Sequence, residues 1–223
     1  MPRELVLVRH GEAYNTVPPD GAREVADPSN PPLTPRGEAQ AAAAARRVLD
    51  VAPQVVVTSP FLRAAQTAAA YLELADATGT ADARLSEHFL FEPLAAFSGI
   101  DLADYRARFG ERVRIDPALA TLAPFPSFPE TQESVLERTS AALEDWLARD
   151  WTRAAFYGHG ATVGAVLRLL APDAAEVAPL HGSITRLVEE ERGTWRTHEV
   201  NAVDHLPEAP AAPSYGKLPD TAE

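Results

Sequence analysis

The chain has 223 residues, 46% of them hydrophobic, and a formal net charge of −12. That length supports one sizeable core, and the acidic balance argues against a general nucleic-acid or anionic-membrane surface, since both want a basic face. The absence of cysteine excludes a disulfide framework and thiolate chemistry, and no apolar stretch approaches a membrane span, so a cytoplasmic protein is expected.

Leu5 to Val8 form an unbroken apolar run, the pattern of a strand covered on both faces, predicted over 4–8. Arg9, His10 and Gly11 follow at its carboxyl end, which is where open α/β sheets place their chemistry. Arginine is costly to bury without a partner, and the natural partner for an Arg-His pair is a phosphate. A proline-rich loop over 17–33 leads to a capped helix predicted over 35–50, which includes the run Ala41 to Ala45.

The next strand is predicted over 54–58 and the next helix over 60–75, with Ser59 as its N-cap and Pro60 as its first residue. Arg63 then stands about one turn into the helix. Regularity is lost between Glu87 and Glu130, where aromatic residues mix with prolines and arginines. Long irregular insertions are usually binding loops, so substrate selection is assigned to about 88–130. The plainer reading is a flap whose aromatics cover the sheet edge.

From Thr131 to Arg149, Val135, Leu136, Thr139, Leu143, Trp146 and Leu147 recur at helical spacing. A strand over 154–157 follows, then Gly158, His159 and Gly160, whose glycines permit a tight strand-to-helix turn, then an apolar helix from Val163 to Leu170. Gly182 to Val188 and Trp195 to Val200 read as a hairpin. Alternating strands and helices predict an α/β fold of three layers, α/β/α, around a largely parallel sheet. One domain is expected over 1–206, with a disordered tail over 207–223, where prolines, alanines and acids replace periodic apolar residues.

Six segments in order, VRHGE at 8–12, LTPRGEAQA at 33–41, SPFLRAAQTA at 59–68, LSEHFLFE at 85–92, YGHGATV at 157–163 and GSITRLV at 182–188, resemble the signature of the histidine phosphatase superfamily, branch 1, also called the phosphoglycerate mutase-like family. The resemblance implies that fold, no metal or other cofactor, and a small-molecule phosphate ester as substrate. It implies His10 as nucleophile, Arg9, Arg63 and His159 as the phosphate pocket and Glu87 as proton donor. The chemistry agrees: an unprotonated imidazole is a competent nucleophile, guanidinium forks grip non-bridging oxygens, and a carboxylic acid can protonate a leaving alkoxide.

Plainer readings stand beside these. Arg63 alone resembles the solvated Arg36, Arg46 and Arg47, and His159 alone could be a hydrogen-bonded structural residue. His88 and Glu92 lie close enough to Glu87 to compete for the acid role, and Glu12 reads as an orienter of pocket residues. Many relatives carry an asparagine where this chain has Thr16, while Asn15 stands one residue earlier, so either side chain could donate to a phosphate oxygen. Mutases of the family usually carry a tryptophan soon after the nucleophile and a longer substrate segment after the acid. Neither is present, so a phosphatase is expected, with a mutase or a non-catalytic phosphate-binding module as alternatives.

Overall fold

The computed structural model describes residues 2–16, 25–90, 92–97, 99–115 and 128–208. Its strands are β1 (Glu4–Arg9), β2 (Val55–Thr58), β3 (Gly79–Ala81), β4 (Val113–Ile115), β5 (Arg153–Gly158), β6 (Ile184–Glu191) and β7 (Thr194–Ala202). Its helices are α1 (Pro35–Leu49), α2 (Leu62–Leu74), the short α3 (Glu92–Ala95), α4 (Leu102–Phe109), α5 (Gln132–Leu147) and α6 (Gly160–Leu170). The strands form one sheet in the order β4-β3-β2-β5-β1-β6-β7. It is parallel from β4 to β1, and β6 and β7 are antiparallel additions.

The apolar run of β1 divides between the two faces, as strand periodicity requires. Val6 and Val8 join Ala44 and Val48 of α1 and Ala65, Ala68 and Leu72 of α2. Leu5 and Leu7 join Ala142, Leu143 and Trp146 of α5 and Val163, Val166 and Leu167 of α6. Each fully buried large aliphatic side chain contributes roughly 1.5–3 kcal/mol. The result is the three-layer α/β/α arrangement around a mostly parallel sheet. Among the described residues, no helix is long and apolar enough to cross a membrane.

The structure differs from the sequence reading at three places along the chain. The helix expected from Pro60 begins at Leu62, because Phe61 takes extended backbone (φ −58, ψ 136), and Ser59 turns away from a capping role. The three-residue β3 is too short to carry a visible period. The described part of the segment after Glu87 contains regular elements that its composition does not suggest: Asp101 caps α4 by accepting from the Ala103 and Asp104 amides, and β4 extends the sheet beside β3. Most of the tail predicted over 207–223 lies outside the described residues.

Parallel order places the carboxyl ends of β3, β2, β5 and β1 side by side, so the segments that follow them converge. The loop after β1 is pinned there by α1. Thr34 caps α1 by accepting from the Gly37 amide at 3.0 Å, and its hydroxyl donates to Glu12 Oε1 at 2.9 Å. The Glu12 amide donates to Gln40 Oε1 at 2.7 Å, and the Gly11 amide to Thr67 Oγ1 at 3.2 Å. A Cβ on Gly37 would overlap the Glu12 carbonyl, which is backbone and cannot swing aside. Gly37→Ala is therefore expected to destabilise the fold by about 1–3 kcal/mol despite alanine's better helix propensity, as a lowered urea midpoint. An unchanged midpoint would mean the loop yields.

Candidate active site

His10 leaves β1 with its ring fully buried. Its Nδ1 lies 2.7 Å from the Gly11 carbonyl, which can only accept, and its Nε2 lies 3.2 Å from Arg63 Nε, which can only donate. The two contacts together fix the tautomer: the proton sits on Nδ1 and the lone pair on Nε2. Arg63, only 1% exposed, is no solvated helix arginine. Its Nη2 also donates to Glu87 Oε2 at 3.4 Å.

His159 stands at the head of α6, between β5 and the helix, with its ring centroid 5.1 Å from that of His10. Its Nδ1 lies 3.3 Å from Glu87 Oε2 and its Nε2 lies 2.8 Å from Ser59 Oγ. Ser59 Oγ accepts from the Phe61 amide at 3.3 Å and so has its hydroxyl proton for His159. Thus the residue expected to cap α2 orients an imidazole instead. The His159 side chain makes no cap bond at the α6 N-terminus, and a helix start of this kind favours an anion.

Glu87 follows β3, and its side chain keeps 15% exposure where His159 has none. The backbone around it is clamped by Arg138 of α5. Nη2 of Arg138 donates to the Glu87 carbonyl at 2.9 Å and Nη1 to the Ser86 carbonyl at 2.8 Å, while Nε donates to Glu130 Oε1 at 2.8 Å. The rivals for the acid role are placed elsewhere. His88 Nε2 contacts the Glu130 carbonyl at 2.7 Å, and Glu92 is exposed on α3.

Arg9 lies beside this group, with Nη1 donating to the Pro179 carbonyl and Nη2 to His181 Nε2 at 3.0 Å. The structure therefore brings together Arg9, His10, Arg63, Glu87 and His159. Thr16 turns its hydroxyl back to the Ala13 carbonyl at 2.8 Å, and Asn15 is half-buried in the same turn. Glu12 orients the start of α1 through Thr34 and Arg36. Glu130, Arg138 and His181 have no site role in the sequence reading, and Ser59 has only that of a helix cap. Phe61 was also overlooked: it meets His159 edge-on at 5.4 Å and stacks on Phe97 at 4.6 Å, joining the inserted segment to the site.

Burial and charge together set the resting protonation. Burial, then Arg63, lowers His10 well below 6.5. Burial draws His159 down to about 4, with Glu87 pulling the other way and Arg63 adding to the fall. Burial and Arg9 draw His181 down to about 3. For Glu87, burial favours the neutral acid, but His159, Arg63 and Arg9 outweigh it and hold the carboxyl well below the usual range. The free site thus holds neutral imidazoles and an ionised Glu87.

These shifts predict a pH-dependent stability. His159 and His181 bind a proton more readily unfolded than folded, so their contribution is fully present above 6.5 and falls as pH drops towards about 4 for His159 and about 3 for His181, and the lowered His10 acts in the same direction. The slope is about 1.4 kcal/mol per pH unit for each ring in that window. Glu87 adds its own loss only below 4.5. The melting temperature should fall steeply between about pH 6.5 and about pH 5, where ordinary carboxylates are still ionised. A flat profile there would mean that the folded site accepts the protons.

Spacing along the chain hid one further property. Donor atoms of His10, Glu87 and His159 lie within 4.8 Å of one another, close enough to be considered as metal ligands. Arg63 already donates to His10 Nε2, and its charge, with that of Arg9, opposes a cation at this point.

An α/β sheet whose adjacent strand ends offer a histidine lone pair, two guanidinium groups, a second histidine and a carboxyl group is chemically suited to gripping and attacking a phosphoryl group. The sequence profile of the histidine phosphatase superfamily (branch 1) matches residues 5–203, and the chain belongs to that family. A comparison with curated proteins returns no match. Among solved structures, the chain is similar to mycobacterial hydrolase 1, with 25% identity, 91% of this chain and 99% of that chain covered, and a TM-score of 0.64. It is similar to a mycobacterial glucosyl-3-phosphoglycerate phosphatase solved with VO3, with 24% identity, coverage of 90% and 100%, and a TM-score of 0.63. It is similar also to a phosphoglycerate mutase from Bacillus anthracis, with 16% identity, coverage of 92% and 95%, and a TM-score of 0.63.

Proposed function

We propose that the protein is a cytoplasmic, metal-independent phosphomonoesterase that hydrolyses a small phosphorylated metabolite through a phosphohistidine intermediate. The observation that carries this reading is the His10 tautomer, with its lone pair on Nε2 beside Arg63. Nε2 attacks phosphorus and an N–P bond forms while the ester P–O bond breaks. Arg9, Arg63 and the α6 N-terminus stabilise the charge on the phosphoryl oxygens. Glu87, as its acid, protonates the leaving alkoxide, and as its carboxylate it then takes a proton from the water that breaks the N–P bond.

The acid form arises in the complex. A phosphate dianion between Arg9 and Arg63 offsets the charge that keeps Glu87 ionised, so the carboxyl takes up a proton that it refuses in the free protein. Water reaches the intermediate from the side of Glu87, the partly exposed member of the group. Substrate choice is assigned to the inserted segment, which contributes Ile100, Asp101, Asp104, Tyr105 and Arg108 to a groove of about 450 Å³ whose other walls include Asp27 and Leu62; with three carboxylates to one guanidinium, it suits the uncharged or cationic part of a substrate and not its phosphate. The similarity to a mycobacterial hydrolase at 25% identity supports hydrolysis. The net charge of −12 argues against nucleic acid or an anionic membrane surface as a partner, and a small anionic substrate is drawn in against it by the local positive charge of Arg9 and Arg63.

The test is phosphate release from a panel of phosphomonoesters in the presence of a chelator, with 3-phosphoglycerate isomerisation followed alongside. Release without isomerisation is expected. Isomerisation without release would make the protein a mutase, and neither activity would leave a binding module.

A further inference from the structure

We infer that His181 positions the Arg9 guanidinium for phosphate, and does so as a neutral hydrogen-bond acceptor. The inference rests on the phosphatase reading above.

His181 lies just outside the segments that carry the family resemblance, in the turn that enters β6, and is 6% exposed. A guanidinium only donates, so the 3.0 Å contact with Arg9 Nη2 requires the lone pair on His181 Nε2. The same turn supplies the Pro179 carbonyl that takes Arg9 Nη1. The His181 ring centroid is 5.4 Å from that of His10, so the held guanidinium stays beside the nucleophile.

The turn is itself rigidly tied. Gly182, at φ 70, donates its amide to the carbonyls of Arg9 and His10 at 3.2 and 3.1 Å. Leu180 donates its amide to Asn201 Oδ1 at 2.8 Å, and His205 Nε2 contacts the Gly182 carbonyl at 3.0 Å. One turn therefore grips both the backbone and the guanidinium of Arg9. A long side chain held this way loses less rotamer freedom when substrate arrives.

The choice of an imidazole follows from charge. A carboxylate at this position would hold Arg9 equally well but would cancel the charge that phosphate needs. A neutral ring holds the guanidinium and leaves its charge in place. Burial and Arg9 itself keep the ring neutral.

The experiment measures p-nitrophenyl phosphate hydrolysis and competitive inhibition by inorganic phosphate in wild type, His181→Phe, His181→Gln and His181→Glu. Loss of the acceptor in His181→Phe should raise KM and the phosphate inhibition constant about tenfold, with a smaller fall in kcat. Gln places an oxygen near the position of Nε2 and should stay within about threefold of wild type. Glu, of nearly the same size, should be impaired at least as much as Phe. A merely structural role would shift the melting temperature without separating Gln from Glu, and this pair carries the test if the Phe variant fails to fold. Wild-type phosphate affinity in His181→Phe, equal impairment in Gln and Phe, or normal phosphate binding in Glu would overturn the inference. A wild type that neither hydrolyses the ester nor binds phosphate would instead overturn the phosphatase reading, and this inference with it.

Discussion

His10→Ala is expected to reduce phosphate release by at least about 10⁴-fold while leaving the protein folded. The loss should be this large because no other described group can inherit the covalent step. His159 directs Nδ1 towards Glu87 and Nε2 towards Ser59, and its ring centroid is 5.1 Å from that of His10. Stability should change much less. His10 is fully buried, but its immediate partners are the Gly11 carbonyl and Arg63, not the apolar clusters on either face of the sheet. Removing the ring leaves a carbonyl and a guanidinium N–H without that partner, a cost of about 1–3 kcal/mol that water entering the polar space reduces. It also removes an imidazole whose protonation the neighbouring cations oppose. Rates with p-nitrophenyl phosphate and a urea midpoint would decide the matter. A variant that keeps the wild-type rate would rule out the phosphohistidine mechanism, whereas one that loses both rate and fold would place His10 among the structural residues.

What the sequence made legible was the set of strand ends. Leu5 to Val8 could be read as a doubly covered strand because both neighbouring layers demand apolar side chains there, and the polar residues that follow had nowhere to go but the carboxyl edge of the sheet. The same logic located His159 and Arg63. What it hid were partners that local pattern cannot reach. Arg138 occupies a buried position on a helix whose period was visible, yet its contacts with Glu130 and with the Ser86 and Glu87 carbonyls span 8 to 52 residues of sequence. His181 meets Arg9 across 172 residues. Ser59 could be read as an N-cap because Ser-Pro is a sound helix start, and only the extended backbone of Phe61 shows that tertiary contact with His159 prevailed over local preference. Strands β3 and β4 escaped for a simpler reason: three residues define no period, and both depend on sheet neighbours for their hydrogen bonds.

Glu87→Gln separates the proton donor from the rest of the pocket, because its effect should depend on the leaving group. An alkyl phosphate expels a strongly basic alkoxide that needs a proton as the P–O bond breaks, so turnover should fall by about 10²-fold or more. A nitrophenolate leaves without help, so p-nitrophenyl phosphate should show a much smaller loss at the phosphorylation step. The amide keeps the size of the acid and can still meet Arg63 and His159, which leaves the geometry of the phosphate pocket in place. It cannot release or collect a proton in the needed range, so hydrolysis of the phosphoenzyme slows as well. With the nitrophenyl ester, a burst of nitrophenolate followed by a slow steady state is therefore expected. Equal losses for both esters, without a burst, would remove Glu87 from the acid role and leave it as an anion that orients Arg63 and His159. The pH profile offers an independent check. Wild-type turnover requires the complexed carboxyl to carry a proton that the free site rejects, so kcat for the alkyl ester should fall on the alkaline side as that proton is lost. In the glutamine variant this limb should disappear, since the group that loses the proton is gone.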